Sequence, residues 1–286
     1  MPLCGTHHGD LVSGPASLAD DGLLVTSAGS EPGFSLHLSS LLVEASATGL
    51  TFPDGPLPQP SANATGLPEL HSLRNAPTSI YLDFDGHGTT LGAYDVDGDP
   101  TTFNATEQAT ITEAHRGVSV FFAMFDVNVT TVKPTGPFAW IVISNDVTGG
   151  TSFVDVFPNT KPESWVASSV ARTRISGIVH ELGHNFGLLH QSDYDLSGKK
   201  TEEYTRGYDS LHGSIMGADS SREVAQWTLG HPSDSASELP ASALQDDVQV
   251  IANAIKRYQP AGGDGFRADD FGGTIATATA LSATSG

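Results

Sequence analysis

The sequence predicts an α+β fold, in which strands and one long helix precede a second, shorter helix along the chain. Residues 78–85 alternate between polar and apolar side chains and are rich in β-forming residues, so we expect a strand there. Residues 104–125 carry apolar side chains at helical spacing, which predicts an amphipathic helix. Residues 138–144 form a nearly continuous apolar run, which is typical of a buried strand.

Shorter patterns of the same kind predict the remaining elements. Asn104 or Thr106 can cap the first helix, and the strand at 152–157 suits the edge of a sheet. The apolar stripe of that helix comprises Ile111, Ala114, Val118, Phe121, Phe122 and Phe125. The further elements are strands at 126–132, 152–157 and 164–170, a helix that opens at residues 172–180, and an amphipathic helix at 244–255.

The chain is strongly acidic. Its 286 residues include 13 Lys and Arg against 33 Asp and Glu, which gives a formal net charge of −20. Such a chain is repelled by nucleic acids and anionic membranes, and no apolar run is long enough to cross a membrane. The charge is equally consistent with simple solubilisation and with bound Ca²⁺. The single cysteine, Cys4, excludes an intrachain disulfide, and no secretory signal is visible at the start.

Composition divides the chain into three segments. Residues 1–75 are rich in Pro and Gly, with a linker-like run at 53–60, and predict a leader, a propeptide-like segment or a flexible arm. Residues 76–260 carry the strand and helix patterns and predict one folded domain. Residues 261–286 predict a linker followed by the truncated start of a further domain.

One motif carries the chemistry of the chain: His180-Glu-x-x-His184-x-x-Gly187-x-x-His190. His180 and His184 are four residues apart, so on a helix both rings lie on one face and can point at one cation. Gly187 can end the helix, after which His190 can supply a third nitrogen from another direction. Zinc suits imidazole and takes three protein ligands plus water when it is catalytic. Glu181 can then act as the base for that water.

The specificity of the motif comes from its second half. Two histidines at this spacing also occur on solvated surface helices, so the pair alone is ambiguous. The glycine and the third histidine at fixed offsets favour the metal site instead. A lone methionine usually fills a core, but Met216 lies in Ser214-Ile-Met-Gly217, where the glycine favours a tight turn.

This pattern resembles the metzincin clan of zinc metallopeptidases, whose members have a methionine in a tight turn beneath three histidines. Met216 fits that position. Astacin-type and serralysin-type members carry a tyrosine two residues later, but Ala218 stands there, so the metal itself must polarise the carbonyl. Over about residues 76–258 the chain also resembles a matrixin-like group of secreted bacterial metzincins. The shared segments are 81–86, 125–131, 214–217, 226–227 and 245–248.

The resemblance implies a fold as well as a site. It implies a twisted, mostly parallel five-stranded sheet with a backing helix and an active-site helix, and a smaller irregular lower subdomain with a C-terminal helix. One antiparallel edge strand should line the cleft, where an extended peptide could add through main-chain hydrogen bonds. Residues 266–281 are similar to the opening of the small β-sandwich often found C-terminal in secreted bacterial peptidases.

Three weaker patterns remain open. Asp95, Asp97 and Asp99 offer carboxylates at alternate positions around a glycine, which suits Ca²⁺ or an ordinary Asp/Gly turn. Asp193, Asp195 and Ser197 present the same choice between a second Ca²⁺ site and an ordinary turn. The segment around Cys4 faintly resembles the propeptide motif with which matrix metalloproteinases block their zinc. The alternative is a cysteine that has no functional role.

The sequence therefore predicts a secreted zinc endopeptidase that acts on proteins or peptides as a monomer. One catalytic Zn²⁺ is expected on His180, His184 and His190, with Glu181 as general base and Met216 as a structural residue. Neither nucleic-acid binding nor membrane insertion is expected. Two alternatives remain: an inactive adhesive or matrix-binding module, and a zinc hydrolase of a non-peptide substrate.

Overall fold

The computed structural model of the protein describes residues 3–6, 61–89, 91–169, 175–207, 209–218, 222–233 and 244–268. The linker-like run at 53–60 and most of the segment expected to open a β-sandwich lie outside these residues. Among the described helices, none has the length and apolar character that a membrane crossing requires.

A mostly parallel sheet forms the centre of the fold. Strands β2, β3, β4 and β6 are joined by parallel pairings, β5 is antiparallel to β6, and the spatial order is β1-β5-β6-β4-β2-β3. The prediction of a mostly parallel five-stranded sheet is confirmed for β2 to β6, and β1 adds a sixth strand on β5. The strands are β1 (Leu3–Thr6), β2 (Thr78–Asp83), β3 (Val127–Thr130), β4 (Phe138–Ser144), β5 (Gly150–Phe153) and β6 (Ser164–Ala167).

Strand β4 is buried at every position because side chains cover both faces of the sheet. Ile141 and Ile143 belong to the main core. Trp140 lies on the opposite face in a smaller cluster with Tyr81 and Phe138. A strand that is covered on both faces needs apolar side chains throughout, which explains the continuous run in the sequence.

Helix α1 (Ala105–Phe121) begins with the cap that the sequence indicates. The Asn104 side chain accepts from the backbone N–H groups of Thr106 and Glu107, and the Glu107 carboxylate accepts from the Asn104 N–H at 2.8 Å. This capping box satisfies N–H groups that no helical carbonyl can reach. The helix ends four residues before the predicted Phe125, because residues 122–125 form tight turns that place Phe122 and Phe125 in the core.

Helix α2 (Ile175–Asn185) packs closely on α1. A Cβ added at Gly117 of α1 would lie only 2.5 Å from Ile175 Cδ1, so the glycine permits this approach. Ile178, Val179 and Leu182 are fully buried in the main core, as their helical spacing predicts.

The prediction of an edge strand at 152–157 is wrong in its bounds, since β5 covers Gly150–Phe153, and in its edge position, since β1 pairs along its outer side. Asp155 has a positive φ of 54°, which takes the chain out of the strand conformation. The N–H of Asp155 donates to His184 O, and those of Val156 and Phe157 donate to Asn185 O. Residues 155–157 therefore satisfy the last carbonyls of α2, which have no partner within the helix.

Shorter elements follow α2 along the chain. Three two-stranded ribbons pair β7 with β8, β9 with β10, and β11 with β12, and helix α3 begins where β12 ends. Their bounds are β7 (Asp193–Tyr194), β8 (Lys200–Glu202), β9 (His212–Ser214), β10 (Val224–Gln226), β11 (Leu229–Gly230), β12 (Gln245–Asp246) and α3 (Asp247–Lys256).

Residues 61–75 pack against the free side of β3. Leu67 is buried in the main core, and the Ser72 N–H donates to Val129 O at 2.9 Å. The amide oxygen of Asn128 accepts from Leu73 N–H at 3.0 Å. Hydrogen bonds to this segment therefore cover part of the β3 edge.

Candidate metal centre

Helix α2 places two of the motif's histidines on one face and then ends abruptly. Gly187 has a φ of +106°, its N–H donates to His184 O at 2.9 Å, and the Leu188 N–H donates to Gly183 O at 3.0 Å. This pair of bonds is the Schellman motif, in which glycine takes the left-handed position at low cost. The chain thus leaves the helix and brings His190 back beside His184.

Hydrogen bonds fix the ring orientation of the first two histidines. His180 Nδ1 lies 2.6 Å from Ile215 O, and His184 Nδ1 lies 2.7 Å from Leu188 O. A carbonyl oxygen can only accept, so Nδ1 of each ring carries the proton. In both rings the Nε2 lone pair therefore remains for a metal ion.

The three histidines converge on one point. Each offers a ring nitrogen within 4.8 Å of the other two, and the three residues are between 0% and 6% exposed. Nε2 of His184 and Nε2 of His190 lie 3.1 Å apart. Two nitrogens on one tetrahedral zinc, each about 2.0–2.1 Å from it, would be roughly 3.3 Å apart.

The protonation state also fits a metal site. Burial, and then the neighbouring His190, lower the pKa of His184 to about 3. The ring is therefore neutral at physiological pH, which is the form that binds a metal. The group formed by His180, His184 and His190 could hold one metal ion, and this donor set is compatible with zinc.

The third histidine has different neighbours from the first two. His190 Nδ1 faces a carboxylate rather than a carbonyl, with Glu203 Oε1 at 3.6 Å. The ring of Tyr204 packs on the His190 ring with centroids 4.6 Å apart. Burial raises the pKa of Glu203, but hydrogen bonds from Ser233 and Lys200 outweigh it and hold that pKa below its ordinary value. Nothing in the local pattern around Glu203 and Tyr204 points to this contact.

Glu181 lies on α2 and faces strand β5. It is 1% exposed, and a Cβ added at Gly150 would overlap its Oε1. The absence of a side chain at Gly150 is thus what leaves room for the carboxylate. Gly150 belongs to β5, so Glu181 also lies close to the strand on which β1 pairs. In that pairing, Thr6 lies opposite Gly150 and Cys4 lies opposite Ser152.

The predicted methionine turn lies beneath α2. The Gly217 N–H donates to Ser214 O at 3.0 Å and closes the turn, while Ile215 O accepts from His180. Met216 is fully buried, and a Cβ added at Gly183 would lie 2.6 Å from its sulfur. Met216 therefore packs against the backbone of the helix that carries His180 and His184.

Sequence reasoning missed the buried polar residues behind His190. Gln191 Nε2 donates to Asp247 Oδ1 at 2.9 Å, and Gln245 Nε2 donates to the same oxygen at 3.0 Å. Asp247 Oδ2 accepts from the Thr228 N–H at 3.0 Å. Burial raises the pKa of Asp247 to about 6, although these donors oppose the rise. In the sequence, the segment 245–248 is distinguished only by its resemblance to the secreted metzincins, because its hydrogen-bond partners lie far away along the chain.

In the acidic loop before α1, the carboxylates that come together are not the three that the sequence predicts. Asp95 and Asp97 form a group with Glu107, whose carboxylate is fully buried, and these three could hold a cation. Asp99 instead accepts hydrogen bonds from Thr101 and Thr102. Asp195 accepts from Ser197 and Lys199 in a turn, and among the described residues no acidic metal group includes it.

Comparison of the chain with protein-family models and with curated proteins found no match in either set. The case for a function therefore depends on the geometry of the three histidines and Glu181.

Proposed function

We propose that the protein is a secreted, metzincin-like zinc endopeptidase. The observation that carries the proposal is the convergence of three buried imidazoles on one point, with the buried Glu181 carboxylate next to the first of them along the helix. His180, His184 and His190 would hold the ion and leave a coordination position open. Such an ion acts as a Lewis acid on a carbonyl group and makes a water ligand more acidic.

The protein's own residues account for the proton transfers. Glu181 would accept a proton from the attacking water and pass it to the leaving amine as the peptide bond breaks. Burial against Gly150 keeps the carboxylate in one place, so little reorganisation is needed during the reaction. Ala218 leaves the position of the clan's tyrosine without a hydroxyl group, so no oxyanion role is assigned there.

The choice of a peptide substrate has separate support. β5 already accepts an extended strand along its outer edge, since residues Leu3–Thr6 pair with it. A peptide substrate can add to a sheet edge in the same way, through main-chain hydrogen bonds that are independent of its sequence. The net charge of −20 disfavours nucleic-acid substrates. Secretion and action as a monomer are part of the proposal and follow from the resemblance.

One experiment tests the proposal directly. The purified chain should contain one zinc ion per molecule, and it should cleave a denatured protein mixture at sites that mass spectrometry can map. Full zinc occupancy without peptide cleavage would instead favour a zinc hydrolase of another substrate. A Glu181→Gln protein that cleaves as fast as the parent would show that Glu181 is not the base.

A further inference from the structure

The three histidines are held by different means. His180 and His184 lie on a helix and donate to backbone carbonyls, so the helix and the fold fix them together. His190 lies beyond the end of α2, where no helical hydrogen bonds restrain it. Its Nδ1 faces the side chain of Glu203 at 3.6 Å. The third ring therefore faces a side chain, where the first two face backbone carbonyls.

Glu203 is itself firmly placed. Lys200 Nζ donates to its Oε2 at 2.9 Å, and Ser233 Oγ donates to its Oε1 at 2.6 Å. The backbone on either side is also tied to the segment that follows His190. Ser192 Oγ donates to Glu203 O at 2.6 Å, and the Thr205 N–H donates to Gln191 O at 2.7 Å. The carboxylate is thus fixed in position opposite the imidazole.

The next residue restrains the same ring by a second kind of contact. The ring of Tyr204 lies 4.6 Å from that of His190, with 52° between their planes. Aromatic pairs at such distances are attractive beyond the area they bury. Glu203 and Tyr204 together would restrict both the rotation of the imidazole and its choice of tautomer.

We propose that Glu203 and Tyr204 are positioning residues, which hold His190 with Nδ1 protonated and Nε2 directed toward the other two histidines. Carboxylates that orient a ligating histidine in this way raise metal affinity without contacting the ion. This inference rests on the metal site of the proposed function but not on peptide hydrolysis. A competing interpretation is that Glu203 only stabilises the local turn through Lys200 and Ser233.

Zinc affinity of the metal-free protein distinguishes these interpretations. The full chain is stripped with a chelator, and Zn²⁺ binding is measured by competition with a chromophoric chelator. Glu203→Ala should bind zinc about 10–100-fold more weakly than the parent. Glu203→Gln, which keeps an oxygen that can accept from Nδ1, should recover most of the affinity. The matched control is Glu202→Ala, because Glu202 is the exposed neighbour in β8.

Two further variants separate positioning from stability. Lys200→Met removes the ion pair with Glu203 but keeps the carboxylate, so it should lower zinc affinity far less than Glu203→Ala. Tyr204→Phe keeps the ring and should bind zinc like the parent, whereas Tyr204→Leu should bind several-fold more weakly. With Co²⁺ in place of zinc, the visible spectrum should change in Glu203→Ala but not in Glu202→Ala.

The outcomes are distinct. Equal zinc affinity in Glu203→Ala and Glu202→Ala would overturn the inference and leave the proposed function intact. If Glu203→Ala does not fold, Tyr204→Leu still decides, because a zinc affinity equal to that of the parent in this variant would overturn the inference. A parent chain that binds no zinc would overturn both proposals.

Discussion

Gln245 holds the backbone of Leu189 with both ends of its side-chain amide. Its Oε1 accepts from the Leu189 N–H at 3.0 Å, and its Nε2 donates to Leu189 O at 2.9 Å. Leu189 immediately precedes His190, so a residue of β12 fixes the loop that carries the third imidazole. The two residues are 56 positions apart in the chain.

Replacement of Gln245 should therefore damage the metal site from a distance. In Gln245→Leu, the half-buried Leu189 N–H and C=O lose their partners, which should cost up to about 1–3 kcal/mol of stability for each group left unsatisfied. Zinc affinity should also fall, because His190 is released. Urea unfolding and zinc titration measure the two effects. Gln249→Leu is the control, since Gln249 lies exposed on the neighbouring helix α3.

Replacement of Glu181 should abolish catalysis without loss of the metal. We expect Glu181→Gln to retain one zinc per chain and to lose about 10²–10⁴-fold in cleavage rate, because the water loses its base. Metal analysis and cleavage of a fluorogenic peptide test this prediction. Glu113→Gln removes an exposed carboxylate on α1 and should leave the rate unchanged.

Gly150 should be as sensitive as Glu181 itself. In Gly150→Ala, the new Cβ would overlap Glu181 Oε1, so the carboxylate must move away from its present position. We expect the cleavage rate to fall at least tenfold with unchanged zinc content. Gly136→Ala is the control, because a Cβ there would meet no atom closer than Pro77 O at 3.9 Å. An unchanged rate in Gly150→Ala would show that the base tolerates displacement.

Occupation of the β5 edge by β1 predicts competition with substrate. Residues 3–6 pair with Gly150–Phe153, and an added peptide would need the same main-chain groups. A chain without residues 1–6 should therefore show a lower KM for an extended peptide and an unchanged kcat. The variant Cys4→Ser in the full chain keeps the strand and removes only the thiol. If this variant also shows a lower KM, the thiol rather than the paired strand hinders the substrate.

Asp83 predicts a loss of stability at alkaline pH. Burial, and then a hydrogen bond with Asp85, raise the pKa of Asp83 from 3.8 to about 8. The folded state therefore keeps a proton that the unfolded chain releases near its ordinary pKa. The resulting stabilisation is fully present below about pH 4 and is lost as the pH rises through about 8.

The variant Asp83→Asn tests this linkage because it cannot titrate. The parent's free energy of unfolding, measured in urea, should fall between pH 5 and pH 9 more steeply than that of the variant. Trp140 Nε1 donates to Asp83 Oδ2 at 2.7 Å, and an asparagine oxygen can accept the same bond. Parallel pH profiles for the two proteins would contradict the prediction.

Sequence patterns predicted the features that neighbouring residues determine by themselves. The apolar run gave β4 its observed bounds of Phe138–Ser144, and the spacing of the three histidines anticipated their convergence. The edge strand was misplaced because its last residues bond to the end of α2, which no strand pattern reveals. Gln245, Asp247 and Glu203 escaped notice for the same reason, since their partners are brought close only by the folded chain.

The hydrogen bonds that join Gln245 and Asp247 to the two neighbours of His190 set the length of the smallest competent fragment. A chain that stops before Gln245 would retain every residue of the histidine motif and the whole central sheet, yet it would lack the amide that holds Leu189 and the carboxylate that binds Gln191. Any recombinant fragment intended to bind metal should therefore extend through Lys256, more than sixty residues beyond the last histidine.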